Sequence, residues 1–235
     1  MRVLILTTNT LHHRYFIKFL KKYFKNIFVI FEKKKIKFPF KTKHIYEKKR
    51  EKFEKFFFFN NTNYELNNLK ILNNCNTELS INYIKKLKPN VIISFGIGIL
   101  KKNFLLSFRN IPIINLHGGN PEEYRGLDSM LWCLYHKDFK NLFTTLHFVN
   151  NGIDTGKIIS KLKIRINKKT KFEHLRAINT LNCCNLVLNY LTKIINKKKI
   201  ICKNQKKTGR YYSAIPESLI NFSINNFNSF KKKNV

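Results

Sequence analysis

Residues Val3-Leu4-Ile5-Leu6 form an unbroken apolar run near the start of the chain. Such a run, too short for a helix and without polar alternation, fits a strand buried on both faces. A polar break, Thr7 to Thr10, precedes a helical pattern that places Leu11, Tyr15, Phe19 and Leu20 on one side and lysines on the other. A second buried strand follows at Ile27-Phe28-Val29-Ile30-Phe31. Two doubly buried strands joined through a helix are parallel neighbours, which commits the chain to a layered α/β sheet.

The same alternation continues. Lys33 to Asn68 mixes Lys/Glu runs with Phe56-Phe57-Phe58-Phe59 and reads as a surface helix docking a Phe face. Asn76 or Thr77 caps a helix through Leu87, which Pro89 ends. Val91 to Phe95 and Ile111 to Leu116 are the third and fourth buried strands, with Gly96 and Gly98 opening the loop between them. The expectation is a Rossmann-like, mostly parallel sheet with helices on both faces, whose ligands lie beyond the carboxyl ends of the strands. From Phe143 the pattern changes. Phe143 to Val149 and Lys157 to Ile166 alternate apolar and polar residues like half-exposed strands, joined by the turn Asn151 to Gly156. Thr170 and Glu173 have capping-box spacing at the head of a long helix. A short C-terminal helix and tail follow, carrying Gly209-Arg210-Tyr211-Tyr212 and Pro216. No linker divides the chain, so residues 1–200 read as one catalytic domain and 201–235 as an extension.

The formal net charge of +33 suggests nucleic acid or an anionic surface. Only eight of the 46 basic residues are arginine, however, and the chain is also rich in Asn, Ile and Phe. That is the imprint of an AT-rich genome. A nucleic-acid reader would draw on arginine for bidentate contacts, so nucleic acid is not the expected partner. Anionic small molecules would still be attracted. Cys75, Cys133, Cys183, Cys184 and Cys202 form no CxxC pair and imply neither a disulfide framework nor a zinc site. Met1 to Thr8 lacks the form of a signal peptide, and no apolar stretch approaches membrane-spanning length. A soluble, cytoplasmic protein is expected, and a homodimer stays open.

Candidate chemistry begins at Asn115-Leu116-His117-Gly118-Gly119. Asn115 and His117 are two apart, so on a strand they share a face while Leu116 packs. Their place at a strand's end admits a reacting pair, or merely hydrogen-bonded strand-end residues. Arg125 stands out among so few arginines, yet could simply tie down its loop through Asp128 or Glu123. Asp154 lies in a turn between Gly152 and Gly156, where an acid is also common for conformational reasons. His147 within a strand and His136 at a helix end read as structural, whereas His12 and His13 follow the first strand, a position that admits a substrate contact or plain packing.

Asn115-x-His117, Tyr124-Arg125-Gly126, Thr144 to Val149 and Ile153-Asp154-Thr155-Gly156 together resemble the folate-dependent formyltransferase family in order, spacing and setting. The resemblance implies a formyltransferase fold and a catalytic group of Asn115, His117 and Asp154. In that role Asn115 and His117 donate hydrogen bonds to a forming oxyanion. Asp154 raises the pKa of His117 and orients it, and either of the two takes the amine's proton. The co-substrate implied is N10-formyltetrahydrofolate, its pteridine against Ile97, Gly98, Ile99 and Leu100 and the Gly152–Ile153 backbone, with no metal. His12, Gly118, Gly119, Tyr124 and Arg125 are the implied amine-substrate contacts.

The acceptor is narrowed by what is missing. The loop after the first strand, Asn9 to His13, has no glycine to cradle the phosphate of glycinamide ribonucleotide. The segment after Ile166 is too short for the barrel of enzymes acting on methionyl-tRNA, and no amino-terminal regulatory domain precedes the first strand. With Gly118-Gly119 after His117 and the Gly209-Arg210-Tyr211-Tyr212 tail, the chain resembles the formyltransferases that act on nucleotide-linked amino sugars, and such a sugar is the small-molecule acceptor this resemblance implies; Tyr211 and Tyr212 stack on its base, close the site or simply pack. Methionyl-tRNA, glycinamide ribonucleotide, and a non-catalytic nucleic-acid binder are the alternatives.

Overall fold

A computed structural model describes residues 1–33, 37–66 and 69–234. The part of the Lys33 to Asn68 reading that falls on 34–36 and 67–68 lies outside the described residues. β1 (Val3–Thr7), β2 (Ile27–Glu32), β3 (Lys70–Leu72), β4 (Val91–Phe95) and β5 (Ile113–His117) pair in parallel, in the order β3-β2-β1-β4-β5. β7 (Phe143–Phe148) adds antiparallel to β5 and β8 (Ile158–Lys163) antiparallel to β7, completing seven strands.

Period-two geometry divides the strand residues between two layers. Val3 and Ile5 of β1 pack with Phe16, Ile17 and Leu20 of α1 (Leu11–Lys21) and with Cys183 to Leu191 of α6 (Leu175–Ile195). Leu4 and Leu6 pack on the opposite side with Ile81 and Ile84 of α3 (Glu78–Leu87) and Phe104 of α4 (Lys102–Ser107). The expected helices on both faces are present. The face that α1 buries is rotated from the expected one: Phe16 and Ile17 are fully buried, while Leu11, Tyr15 and Phe19 lie at its margin. Thr77 is the N-cap of α3, its hydroxyl accepting from the Ser80 N–H.

One strand is added and two expectations are corrected. β3 is a short edge strand whose Lys70 and Ile71 are exposed, so it lacks the apolar run that marks a buried strand. β7 alternates in sequence yet is buried throughout its centre, because its polar residues are hydrogen-bonded rather than solvated: Thr144 Oγ1 donates to Asn179 Oδ1 (2.7 Å) and Thr145 Oγ1 to the Gly119 carbonyl (2.7 Å). The Thr170–Glu173 box does not form. Thr170 Oγ1 instead closes a turn with Asn167, and α6 begins after a single 3-10 turn at Phe172–His174.

The C-terminal stretch is more ordered than a tail. β9 (Arg210–Tyr212) pairs in parallel with β6 (Tyr124–Gly126), and α7 (Glu217–Asn234) packs on α5 (Ser129–Tyr135) in a second core around Leu134, Ile215, Ile220 and Phe227. α2 (Tyr46–Phe59) docks Phe58 and Phe59, leaving Phe56 and Phe57 exposed. It also buries Glu54, whose carboxylate takes both Nε and Nη2 of Arg176 on α6 at 2.6 Å.

Candidate active site

The parallel strand order reverses between β1 and β4, and the loops after them leave the sheet in opposite directions. A cavity of about 390 Å³ opens there, at the carboxyl ends of β4 and β5. Its lining includes His12, His13, the loop Gly96 to Leu100, Asn115, His117, Gly118, Gly152, Ile153 and Asp154. Gly96 adopts φ +73°, and a Cβ there would collide with the His13 ring, so this glycine lets α1 close against the β4 loop.

Asn115 and His117 emerge on one face of β5, as their spacing requires, while Leu116 is buried in the core. Asp154 arrives from the β7–β8 loop in the left-handed region, φ +54°. Gly156 permits the loop's tight path, since a Cβ would strike the Phe148 carbonyl. Gln205, from the C-terminal segment, pins the loop by donating Nε2 to the carbonyls of Asp154 (2.7 Å) and Gly156 (2.9 Å). Asp154 Oδ2 accepts the Gly126 N–H (2.8 Å) and lies 3.4 Å from His117 Nδ1. Asp154 Oδ1 accepts from Asn115 Nδ2 at 3.2 Å.

A fourth side chain joins them. His147 is paired directly across from Asn115 in the β5–β7 register. Its Nε2 lies 3.2 Å from Asn115 Nδ2 and 3.3 Å from Asp154 Oδ1. Its Nδ1 donates to the Phe148 carbonyl (2.8 Å), so in the neutral ring Nε2 is free to accept from Asn115. The sequence offers no sign of this beyond a histidine in a strand. The contact exists only because β7 runs antiparallel beside β5 in this register.

His117 is oriented from outside the cavity. Its Nε2–H donates to the Tyr124 carbonyl (2.7 Å), which fixes the tautomer and leaves the Nδ1 lone pair facing Asp154. The expected rise in its pKa is overturned: burial, reinforced by His147, pulls the imidazole below its ordinary value despite the opposing pull of Asp154. Burial pushes the Asp154 carboxyl up, but the attraction of His117 and His147 when either carries the proton, with the Gly126 N–H, outweighs it and holds the group well below the usual carboxylate range. A carboxylate and a neutral imidazole thus face each other across one gap that can hold one proton.

The remaining predicted contacts fall in different places. Ile97 and Gly98 are half-buried, Ile99 exposed and Leu100 buried, and all four line the cavity, with Gly152 and Ile153 opposite. Glu32 at the end of β2 fixes this slot, its Oε2 accepting the Gly98 N–H (2.7 Å). His12 and Gly118 line the cavity, whereas Gly119 is buried beneath it against Ser129 and His117. Arg125 is not among the lining residues. Its Nε donates to the Gly209 carbonyl and its Nη1 to the Ile153 carbonyl (3.2 Å), so it ties the loop to backbone rather than to Asp128 or Glu123. Tyr124 contributes its carbonyl, while its ring is buried against Tyr212 and its hydroxyl donates to Asp138 (3.1 Å). Tyr212 is therefore a packing residue. Tyr211 stands half-exposed at the cavity wall. Among the described residues no group of three His, Cys, Asp or Glu side chains is placed to hold a metal ion, and no helix is long and apolar enough to cross a membrane.

Comparison with known proteins places the chain in a family and a fold. The formyl transferase family model matches residues 2–181. The bifunctional polymyxin resistance protein ArnA of Wigglesworthia glossinidia brevipalpis is 34% identical over 96 residues, 41% of this chain and 14% of that protein. A methionyl-tRNA formyltransferase of Finegoldia magna is 26% identical over 155 residues, 64% of this chain and 49% of its own length. The chain thus spans about half or less of these relatives. Among solved structures, a sugar N-formyltransferase from Shewanella superposes with a TM-score of 0.62 at 15% identity, covering 96% of this chain and 87% of that one. WlaRD, a sugar 3N-formyl transferase solved in the presence of dTDP and 5-N-formyl-THF, has a TM-score of 0.56 at 20% identity and covers 91% and 69%. At these identities the structural matches speak for the fold.

Proposed function

The chain belongs to the formyl transferase family, and from that premise we propose that it moves a formyl group from N10-formyltetrahydrofolate to the amino group of a nucleotide-linked amino sugar. The observation that carries this reading is the contiguous set of Asn115, His117 and Asp154 at the end of β5, open to a cavity with an apolar slot beside it. The slot of Ile97 to Leu100, faced by Gly152 and Ile153, suits a flat heterocycle held between apolar side chains and backbone. The folate supplies a formyl carbon activated on nitrogen.

In this mechanism the neutral amine attacks the formyl carbon, and the carbonyl oxygen takes the displaced electron pair. Asn115 exchanges its bond to Asp154 for one to that oxygen, donating an Nδ2 hydrogen while His147 holds the other. The proton lost by the amine nitrogen enters the gap between Asp154 Oδ2 and His117 Nδ1. Collapse of the tetrahedral centre re-forms the carbonyl and breaks the bond to the folate nitrogen, which leaves with that proton. His117 acts in the proton step rather than as an oxyanion donor, because its Nε2–H is already given to Tyr124. The sugar acceptor is supported by similarity to sugar N-formyltransferases over nearly the whole chain.

The test is to incubate the protein with formyl-tetrahydrofolate and a panel of dTDP- and UDP-linked amino sugars, methionyl-tRNA and glycinamide ribonucleotide, following loss of the formyl group. Asn115→Ala, His117→Ala and Asp154→Ala should each lower turnover about 100-fold or more with the fold intact. Near wild-type rates in all three would sink the assignment of chemistry. Turnover with another amine but no sugar would sink only the acceptor.

A further inference from the structure

The carboxylate that faces His117 sits on a loop that makes few bonds of its own. Asp154 occupies the left-handed region at φ +54°, which a residue other than glycine keeps only where surrounding contacts over-determine it. Among the described residues, the carbonyls of Ile153, Asp154 and Gly156 have no backbone N–H partner. Side chains from outside the loop take all three. Arg125 Nη1 donates to Ile153 (3.2 Å), and Gln205 Nε2 gives one hydrogen each to Asp154 (2.7 Å) and Gly156 (2.9 Å).

Gln205 is itself placed from two directions. Upstream, Lys203 exchanges both backbone bonds with Ile158 at the start of β8, each 2.8 Å. Downstream, the Lys206 N–H donates to Glu122 Oε1 (2.9 Å), whose other carboxylate oxygen holds Lys161 of β8. Gly209 then runs so close to the backbone of Pro121 and Glu123 that a Cβ would collide with it. The segment is thus fastened to β8 and to the β5–β6 connection, with the Gln205 amide reaching the Asp154 loop. Only its donor end is used: Oε1 is buried and accepts from no donor among the described residues. Gln205 also lies beyond residues 2–181, the span that the family model matches.

We propose that Gln205 is a positioning residue for formyl transfer, locking the Asp154 backbone so that its carboxylate stays aimed at His117. This rests on the formyl-transfer reading above for the role of Asp154. It makes the segment from Lys203 to Gly209 part of the catalytic machinery. Arg125 fixes the loop where Ile153 faces the folate slot, whereas Gln205 fixes it at and after the reacting carboxylate. Losing Gln205 therefore disturbs the proton step more than folate binding.

Gln205→Met is the informative substitution, since it keeps an unbranched chain of similar length at a half-exposed position and removes the donor. The kcat should fall about tenfold or more, with the KM for formyl-tetrahydrofolate within about threefold. Introduced into Asp154→Asn, the same change should alter the residual kcat by less than about twofold, because a residue acting through Asp154 has no carboxylate left to aim. Amide hydrogen exchange reads the geometry without turnover. The Gly126 N–H, which donates to Asp154 Oδ2, should exchange about tenfold or more faster in Gln205→Met, while its neighbour Leu127, bonded to the Tyr212 carbonyl, stays within about twofold. An unchanged kcat, or an equal fractional loss in both backgrounds, would overturn the positioning role and leave formyl transfer standing. A wild type that formylates no amine would remove the formyl-transfer reading. Selective exposure of Gly126 would then still uphold Gln205 as the group that positions Asp154, and unchanged exchange would overturn it.

Discussion

Acid should destabilise this protein well above the pH at which ordinary carboxylates titrate, and the cause lies at the head of α1. His12 and His13 are buried with ring centroids 3.9 Å apart. Burial, the neighbouring His13 ring, Arg176 and Arg50 push the His12 imidazole well below its ordinary value. Burial and Arg176 pull His13 down to about 3, only partly opposed by its bond to Thr8. Both rings thus stay neutral in the folded chain at pH values where the unfolded chain protonates them. A depressed folded pKa contributes stability that is complete above about pH 6.5 and is lost as pH falls. At about pH 5 the His13 ring alone costs roughly 2 kcal/mol, and His12, shifted the same way, adds to that loss. That is a large part of the roughly 5–15 kcal/mol available to a typical domain. Urea denaturation between about pH 8 and pH 5 should show this loss. In the His12→Gln/His13→Gln variant most of the pH dependence should vanish, leaving the smaller shares from His117 and His174, which burial also depresses. A flat wild-type profile over this range, or a double variant that loses as much as wild type, would refute the reasoning.

Two further outcomes are expected. His147→Ala should lower kcat about 100-fold with little change in the KM for formyl-tetrahydrofolate, because Asn115 and Asp154 lose the ring that fixes their geometry; steady-state kinetics against both substrates would reveal it, and an unchanged kcat would make His147 a packing residue. Glu54→Gln should cost about 3 kcal/mol by stranding Arg176, whereas Glu54→Leu with Arg176→Met should stay within about 1–2 kcal/mol of wild type, both read from urea midpoints.

How much of the site was legible varies residue by residue. Asn115 and His117 were readable because two-residue spacing on a strand fixes a shared face whatever surrounds it. Asp154 was readable only through the combined motif. His147 reads as structural from the sequence, and nothing local distinguishes it. Arg125 stood out by its rarity, yet its guanidinium is committed to the carbonyls of Gly209 and Ile153. Its use was decided by where β9 docks, far along the chain.

The sequence by itself determined the parallel sheet, since unbroken apolar runs such as Val3 to Leu6 and Val91 to Phe95 are stable only when covered on both faces, and it determined the helices α1 and α3 between them. These are local consequences of periodicity and capping, read within a window of a few residues. The tertiary structure alone decided that polar β7 is buried, that His147 faces Asn115, and that Tyr124 fixes the His117 tautomer. It also decided that burial outweighs Asp154 in setting the charge of His117. Each depends on strand order, register or the amount of protein stacked around a group, quantities that arise only when segments distant in sequence are packed together.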